Sequence, residues 1–440
     1  MNYANQHVLV LGAARSGRAA VDLLLRAGAR VTVYDRKAAA LESLPAAAQR
    51  LSGDAPPDYA RFDAVVASPG FPTEARANLV PEVDLAAQFL DAKLVGITGS
   101  NGKSTTTTLV GEILAAAGFA TGVGGNIGTA LCELVGKGYR WVVAELSSFQ
   151  LEHARDLHAD VAVLLNLAPD HLDRHGSLER YGEAKARLAL LQRQEAWLVA
   201  NHEDEWARSV AKRAPAHVAW FATSVRVDTG ACRDGESLLV TRDGAVRARI
   251  PLAELSDASR RPLDNALAAA AAADLAGAGA DAIHSVLSRF QGLPHRVRDV
   301  CVRAGVRYVD DSKATNPAAA VASLLSQTQR VVWLAGGRNK GLDFAPLADA
   351  AKRARVRVAF VFGESAEDLQ RALGGACRVE RVTTLADAVT YAAASARPGD
   401  VVLLAPACAS FDQFTSFEDR GRQFAELACA LPEGAGGAAC

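Results

Sequence analysis

No stretch of this 440-residue chain approaches the ~20 consecutive apolar residues that a bilayer requires, so no spanning helix is expected. The opening "MNYANQHVLVLG" lacks a basic region followed by an apolar stretch and a cleavage site, and a cytoplasmic protein is expected. Charge of either sign is not in excess. The formal net charge of −1 removes the electrostatic case for nucleic acid or an anionic membrane, which leaves small-molecule substrates as the expected partners. CxxC spacing is absent too. The seven cysteines (132, 232, 301, 377, 408, 429 and 440) are scattered and odd in number, which argues against a disulfide framework or a zinc site and for reduced, mostly buried thiols.

What is present is length and repetition of pattern. One hydrophobic core cannot serve 440 residues, and domains of roughly 100 to 200 residues give two to four units, with three expected. A strand, turn and helix pattern restarts three times. The first run, "HVLVLGAARSGRAAVDLLLRAGARVTVYD", reads as an opening βαβ unit ending at Asp35. Its GxGxxG fingerprint is incomplete, because Gly12 and Gly17 are present but Ala14 takes the middle place. A nicotinamide site, a related nucleotide site and a purely structural turn all stay open on these residues, and a dehydrogenase is the alternative enzyme class. A further strand, "DAVVASPG", brings Ser68 and Gly70 to the carboxyl edge of the same sheet, where open α/β sheets bind ligands.

The second restart, "KLVGITGSNGKS", is followed by apolar strands at "WVVAELS", "ADVAVLLN" and "AWLVAN", as a buried parallel sheet requires. From about residue 218 to 251 the pattern changes, and the Asp-Gly of "LLVTRDGAVRARI" signals a hairpin. Two alanine-rich helices then close the domain. The third restart begins near Gly292, with strands at "RVVWLAGG", "RVAFVFG" and "DVVLLAPA" alternating with helices, and gives another doubly wound sheet. The tail "PEGAGGAAC" is expected to fray. The fold class is therefore α/β in three domains, residues 1–91, 92–292 and 293–440, with a cleft between domains that must close.

The chemistry concentrates at strand ends. "GITGSNGKSTTTT" (96–108) puts a glycine-rich turn, Lys103 and a run of hydroxyls after an apolar strand. Backbone amides there point at an anion, Lys103 neutralises phosphate charge and the Ser104 hydroxyl reaches a magnesium ion, which reads as a nucleoside triphosphate site. It departs from strict GxxxxGK[ST] spacing: the first glycine place is Ile97, with Gly96 one residue early and Gly99 two late. "ELSSFQ" places Glu145 near that loop if the two strands are parallel neighbours, as a hard oxygen for Mg²⁺ or, in the bland reading, as a cap for the following turn. "NLAPDHLDRHGS" ends a third strand with His171, offering a metal or substrate role. In the third unit, "GLPHRVRD" and "YVDDSKATNP" bracket a strand, so His295, Arg296, Asp311 and Lys313 could converge on one edge to meet phosphoryl charge, with a ribose hydroxyl as the alternative ligand of Asp311. "GGRNKG" and "PACASFDQFTSFEDRG" follow two later strands, offering Lys340 and Ser410 to an anionic partner and Phe417 as an apolar wall.

Taken in order, "TGSNGKST", "GGNIG", "ELSSFQLE", "DHLDRHGS", "GLPHR", "DDSKATN" and "PACASFDQF" resemble the Mur ligases over about residues 8–428, and the last three are similar to the D-glutamate-adding branch of that family. The related folylpolyglutamate synthases share the phosphate loop but differ at "DDSKATN". The resemblance implies an ATP-dependent amide ligase that adds D-glutamate to UDP-N-acetylmuramoyl-L-alanine through an acyl phosphate and a tetrahedral intermediate. It implies a Rossmann-like first domain for the UDP moiety, a central P-loop-like ATPase domain and a Rossmann-like third domain that takes the amino acid. By resemblance, Gly99, Ser100, Asn101, Gly102, Lys103, Ser104, Thr105, Asn265, Arg296 and Asp311 contact ATP, with Lys313 among the catalytic cations. Ser16, Asp35, Arg36, Ser68, Gly70, Asn126 and His171 contact the UDP substrate, and Thr315, Lys340, Ser410 and Phe417 the D-glutamate. Two Mg²⁺ ions are implied, on Ser104, Glu145, His171 and Lys185, the last as a carbamylated lysine; spacing alone would leave Lys185 a solvated helix-face residue. A monomer is expected. One departure stands out: where the family has GxHN before Asn265, residues 259–262 read "SRRP", and Pro262 supplies no side-chain amide for adenine.

Overall fold

The computed structural model describes residues 3–71 and 77–432; residues 433–440 of the tail lie outside them. Among the described residues, three sheets are distributed over two compact units. Residues up to Leu167 together with Glu179–Phe290 make the first unit, and Ala168–Leu178 together with the chain from Gln291 make the second.

In the first unit, five parallel strands lie in the order Gln49–Leu51, Arg30–Tyr34, His7–Leu11, Ala64–Ala67 and Leu79–Pro81. Alternation assigns their side chains to two faces: Val8, Val10, Val31 and Val33 join one core, whereas Leu9, Leu11, Tyr34 and Val65 join another. Helix Arg15–Arg26 covers the first face with Ala19, Ala20, Leu23 and Leu24. The strand order reverses direction of travel between His7–Leu11 and Ala64–Ala67, and their carboxyl ends leave a crevice beside Gly12 and Ser68.

The second sheet of this unit has nine strands. Six parallel ones, Thr121–Gly125, Trp141–Glu145, Lys93–Thr98, Val161–Leu164, Trp197–Asn201 and His217–Ala222, continue in parallel to Gly230–Asp234, after which Ser237–Arg242 and Ala245–Pro251 run antiparallel. The expected hairpin is present, with Asp243 at φ 51 and Gly244 at φ 78 in its two-residue turn. The alanine-rich segment forms helices Leu263–Leu275 and Ala280–Arg289. Ala266–Ala273 are buried, and their small side chains let this helix pack closely on helix Lys103–Ala116.

The second unit carries six strands in the order Arg298–Arg303, Val306–Asp310, Val401–Leu404, Val331–Gly336, Val356–Phe362 and Arg378–Arg381. All pair in parallel except the first, an edge hairpin turned at Ala304 and Gly305, both at positive φ. Trp333 anchors the centre: it is fully buried, and its indole N–H donates to the Ala405 carbonyl at 2.8 Å. No helix among the described residues is long and apolar enough to cross a membrane.

Candidate active site

Strand Lys93–Thr98 lies between Trp141–Glu145 and Val161–Leu164; the chain leaves Lys93–Thr98 towards Thr121–Gly125 on one side and leaves Val161–Leu164 towards Trp197–Asn201 on the other, so the phosphate loop starts at a switch point of the sheet. Gly102 ends the loop at φ 86, and a Cβ there would stand 2.3 Å from Asn265 Oδ1, so glycine is required both by backbone and by space. Helix Lys103–Ala116 follows, presenting its amino terminus to the loop with Ser104 and Thr105 buried in its first turn. Lys103 Nζ curls back onto the Gly99 and Ser100 carbonyls, 2.9 Å from each. The loop is braced from outside by Asn166. Its carbonyl accepts from Ser100 N–H at 2.9 Å, its Oδ1 accepts from Asn101 N–H at 2.9 Å, and its Nδ2 donates to the Asn101 carbonyl at 3.2 Å. Asn265 reaches the same helix, with Oδ1 3.4 Å from the Thr106 hydroxyl.

Glu145 is the residue in register with Ile97 on the neighbouring parallel strand, which is the adjacency that its proposed ion-binding role needs. It does not cap the following turn. That helix, Ser148–Leu151, is capped by Ser147 and Gln150 in a reciprocal box. Glu145 is 2% exposed; Oε1 accepts from Asn126 Nδ2 at 2.7 Å, and Oε2 is buried with no hydrogen-bond partner. A buried carboxylate oxygen left bare is costly unless something else binds it. Lys185 is buried rather than solvated, at 1% exposure: Nζ donates to the Gly99 carbonyl at 2.9 Å and lies 4.6 Å from the centre of the Tyr181 ring. The Gly99 carbonyl thus accepts from two lysines, and the Ser100 hydroxyl donates to Tyr181 Oη at 3.3 Å.

The crevice of the five-stranded sheet opens into a cavity of about 540 Å³ lined by Gly12, Ser16, Asp35, Ser68, Gly70 and Asn126, among others. Arg36 is exposed and outside that lining. Asp35 links two turns: Oδ2 accepts from Ala13 N–H, after strand His7–Leu11, and Oδ1 from Lys37 N–H, each at 2.9 Å.

In the second unit, Asp311, Lys313 and Thr315 follow strand Val306–Asp310, Lys340 follows Val331–Gly336, and Ser410 follows Val401–Leu404. These strands are parallel neighbours, so all five residues gather at one edge. The loops are stitched by Arg420, which is fully buried and donates to the Ser312 hydroxyl and carbonyl at 2.9 Å and to the Gly336 and Cys408 carbonyls at 3.3 and 3.2 Å. Lys313 Nζ stands 3.7 Å from the centre of the Phe417 ring. His295 Nδ1 pairs with Asp310 Oδ2 at 2.6 Å. Segment Ala168–Leu178 belongs to this unit and brings Asp170, whose Oδ1 meets Lys340 Nζ at 2.9 Å and whose Oδ2 accepts from Asn316 Nδ2 at 3.1 Å. Burial pushes the Asp170 carboxyl up, but the charges of Lys340 and His171 outweigh it and hold the group below the usual carboxylate range. His171, at φ 52, starts helix Leu172–His175, with Nε2 3.8 Å from Asp170 Oδ2. His171 therefore falls in the second unit, and Lys103, Glu145 and Lys185 in the first.

Burial raises the Asp311 carboxyl to about 6, against the lowering pull of the Arg296 charge. The folded state therefore binds this proton more tightly than the unfolded chain. The stability from that proton is fully present below about pH 4 and is lost as pH rises through about 6. Asp311→Asn is expected to be more stable than the parent by about 1 to 2 kcal/mol at pH 8, with the gain shrinking towards pH 4. Urea unfolding at both pH values checks this, and an equal difference at the two would contradict it.

Asn166, Tyr181, Asp170 and Arg420 were not singled out from sequence. Each acts on the site through another residue's backbone or charge; Asn166 and Asp170 lie in the "NLAPDHLDRHGS" stretch and Arg420 in "PACASFDQFTSFEDRG", and Tyr181 lies in none of the stretches quoted above.

A glycine-rich anion loop at the switch point of a parallel sheet, with a bare carboxylate one strand away, defines a nucleotide-binding α/β protein. Residues 97–273 match the family profile described as Mur ligase middle domain, and residues 295–408 match the profile described as Mur ligase, glutamate ligase domain. The chain belongs to the Mur ligase family. It is 39% identical to the UDP-N-acetylmuramoylalanine–D-glutamate ligase of Acidobacterium capsulatum, over 98% of this chain and 97% of that one. It is 42% identical to the enzyme of the same name from Myxococcus xanthus, over 97% and 99%. Among solved structures it is similar in fold to a MurF ligase from Thermotoga maritima in complex with ADP, with a TM-score of 0.60, 19% identity and coverage of 97% and 94%. FolC of E. coli in complex with DHPP and ADP superposes with a TM-score of 0.59 at 21% identity, over 79% of this chain and 93% of that one.

Proposed function

We propose that the protein is an ATP-dependent amide ligase that joins D-glutamate to the carboxylate of UDP-N-acetylmuramoyl-L-alanine in peptidoglycan precursor synthesis. The observation that carries the proposal is the pairing of the 96–108 loop with Glu145, in register and with one buried oxygen unused. The names of relatives that match along nearly the whole chain support the choice of substrates.

In this reading residues 1–91 are a Rossmann-like domain for the UDP moiety, 92–292 a P-loop-like ATPase domain, and 293–440 a second Rossmann-like domain for the incoming amino acid. A carboxylate acylates nothing by itself, because its leaving group would be oxide. Transfer of the ATP γ-phosphoryl group to a carboxylate oxygen breaks the bond to ADP and forms an acyl phosphate. The amine of D-glutamate attacks the acyl carbon, the tetrahedral intermediate collapses, and phosphate leaves with the former carboxylate oxygen. Lys103 and the amides of Gly99–Thr105 hold the phosphates against their charge, and Asn265 holds the nucleoside with Arg296 and Asp311. Ser16, Asp35, Arg36, Ser68, Gly70, Asn126 and His171 bind the UDP substrate. Thr315, Lys340, Ser410 and Phe417 receive D-glutamate, and Lys313 adds positive charge.

Among the described residues no three His, Cys, Asp or Glu side chains cluster as a metal cage. A magnesium ion carried in on phosphates does not need one, since one or two protein oxygens suffice. The buried Ser104 and the bare Oε2 of Glu145 fit that demand. When bound, the ion would offset triphosphate charge as a Lewis acid. His171 and a carbamate on Lys185 are proposed for a second ion. We place the activity in the cytoplasm, carried by a monomer.

Phosphate release assayed with ATP, UDP-N-acetylmuramoyl-L-alanine and each glutamate enantiomer tests the reading. Release is expected only with all three substrates and with the D form. Release indifferent to the muramoyl substrate would contradict it.

A further inference from the structure

Arg15 is the first residue of helix Arg15–Arg26, lines the crevice of the five-stranded sheet, and belongs to none of the groups considered so far. Its guanidinium turns away from its own sheet. It donates to the carbonyls of Gly125 at 3.3 Å, Asn126 at 3.2 Å and Gly128, the last residue of strand Thr121–Gly125 and two residues of the loop that follows it. A planar fork with five N–H donors can collect that many carbonyls, whereas an ammonium on a flexible stem cannot hold them in one plane.

The loop is closed on itself by the Gly125 N–H, which donates to the Thr129 carbonyl at 2.7 Å, and Arg15 adds a brace from outside. Gly125 at φ 95 and Gly128 at φ 56 give it wide conformational freedom, and no larger residue can stiffen it at position 125, where a Cβ would stand 2.3 Å from the Glu145 carbonyl. Its cargo is Asn126, whose N–H donates to the Glu145 carbonyl at 2.8 Å and whose Nδ2 donates to Glu145 Oε1 at 2.7 Å. Whatever fixes Asn126 therefore fixes which oxygen of Glu145 is engaged and which is left bare.

We infer that Arg15 is a positioning residue: by gripping the carbonyls of Gly125, Asn126 and Gly128 it sets Asn126, and through it the Glu145 carboxylate, so that the helix at the sugar-nucleotide crevice controls the carboxylate beside the phosphate loop. The catalytic consequence rests on the ligase reading above; the tether itself does not.

Two measurements on the full chain separate these levels. In the ligand-free protein, hydrogen exchange of amides 125–130 is expected to speed up about tenfold or more in Arg15→Met, with strand Val331–Gly336 unchanged. In phosphate-release assays the same variant is expected to need about ten times more Mg²⁺ for half-saturation and to lose about tenfold in kcat, in the range seen when groups orienting a metal ligand are removed, while KM for ATP at saturating Mg²⁺ stays within about twofold. Arg15→Lys should recover part of both effects and serves where the methionine variant does not fold, and added guanidinium should restore part of the Mg²⁺ affinity of Arg15→Met. Unchanged loop exchange overturns the tether. Faster loop exchange with an unchanged Mg²⁺ requirement overturns the positioning role and leaves a merely structural contact. A parent protein without ligase activity removes the reading on which the second measurement rests, and exchange alone then decides the tether.

Discussion

Lys103→Ala is expected to lower turnover by about 10³-fold or more, the scale on which preorganised charges at a transferring phosphoryl group act. The ammonium is held by the Gly99 and Ser100 carbonyls, at 2.9 Å each, so it sits over the loop that would cradle the phosphates. Releasing these two contacts to reach an anion costs little, because hydrogen bonds are exchanged rather than lost. Removing the side chain should leave the fold intact: helix Lys103–Ala116 stays buried on Leu109, Val110, Ile113 and Leu114, and Asn166 still braces the loop. Steady-state phosphate release together with thermal unfolding checks this. Near-normal turnover would remove the lysine from the chemistry, and a collapse of the melting temperature would assign it to structure.

Glu145→Gln is expected to cost about 10²-fold or more in kcat, with the Mg²⁺ dependence shifted to higher concentration. The substitution is nearly isosteric, and its carbonyl oxygen can still accept from Asn126, so the 2.7 Å hydrogen bond survives. What changes is the second atom. An acceptor oxygen that is buried and bare becomes an NH₂ donor, which a cation repels. Had Glu145 served only to hold Asn126, the amide would do as well. Titration of Mg²⁺ against phosphate release, paired with Mn²⁺ binding followed by electron paramagnetic resonance in the presence of ATP, distinguishes the two. A glutamine variant with parental ion affinity would reduce Glu145 to a structural acceptor.

Much of this arrangement was legible in the sequence because parallel strands buried on both faces leave unmistakable apolar runs. "KLVGIT", "WVVAE" and "VAVL" became strands whose carboxyl ends carry the loop, Glu145 and the segment leading to His171. Strands at edges were harder. Gln49–Leu51 and Leu79–Pro81 are three residues each, and Thr121–Gly125 holds three glycines, so none shows the pattern of a buried strand. Between Arg298 and Asp310 one strand was expected, and the chain forms two, turned at Ala304 and Gly305.

At the site, residues could be named from sequence where chemistry dictates residue type, as at Lys103. Residues that act by bracing another residue left little trace. Arg15 and Asn166 reach main-chain groups of Gly128 and Asn101, and Tyr181 meets the Ser100 hydroxyl; each could be a surface or core residue by type, and only the fold makes these contacts. Lys185 shows the converse. Helical spacing made it a solvated lysine, yet helix Leu178–Leu190 packs that face inward and buries the ammonium against Gly99 and Tyr181. The Glu145 pairing needed strand order as well as strand identity, and strand order is a property of the closed sheet.

The central claim is that ATP activates the muramoyl carboxylate as an acyl phosphate. Oxygen-18 placed in that carboxylate, followed through one turnover by mass spectrometry of the products, tests it most directly. One labelled oxygen is predicted to leave in the inorganic phosphate for each amide formed. Phosphate carrying no label above background, with amide still produced, would contradict the account.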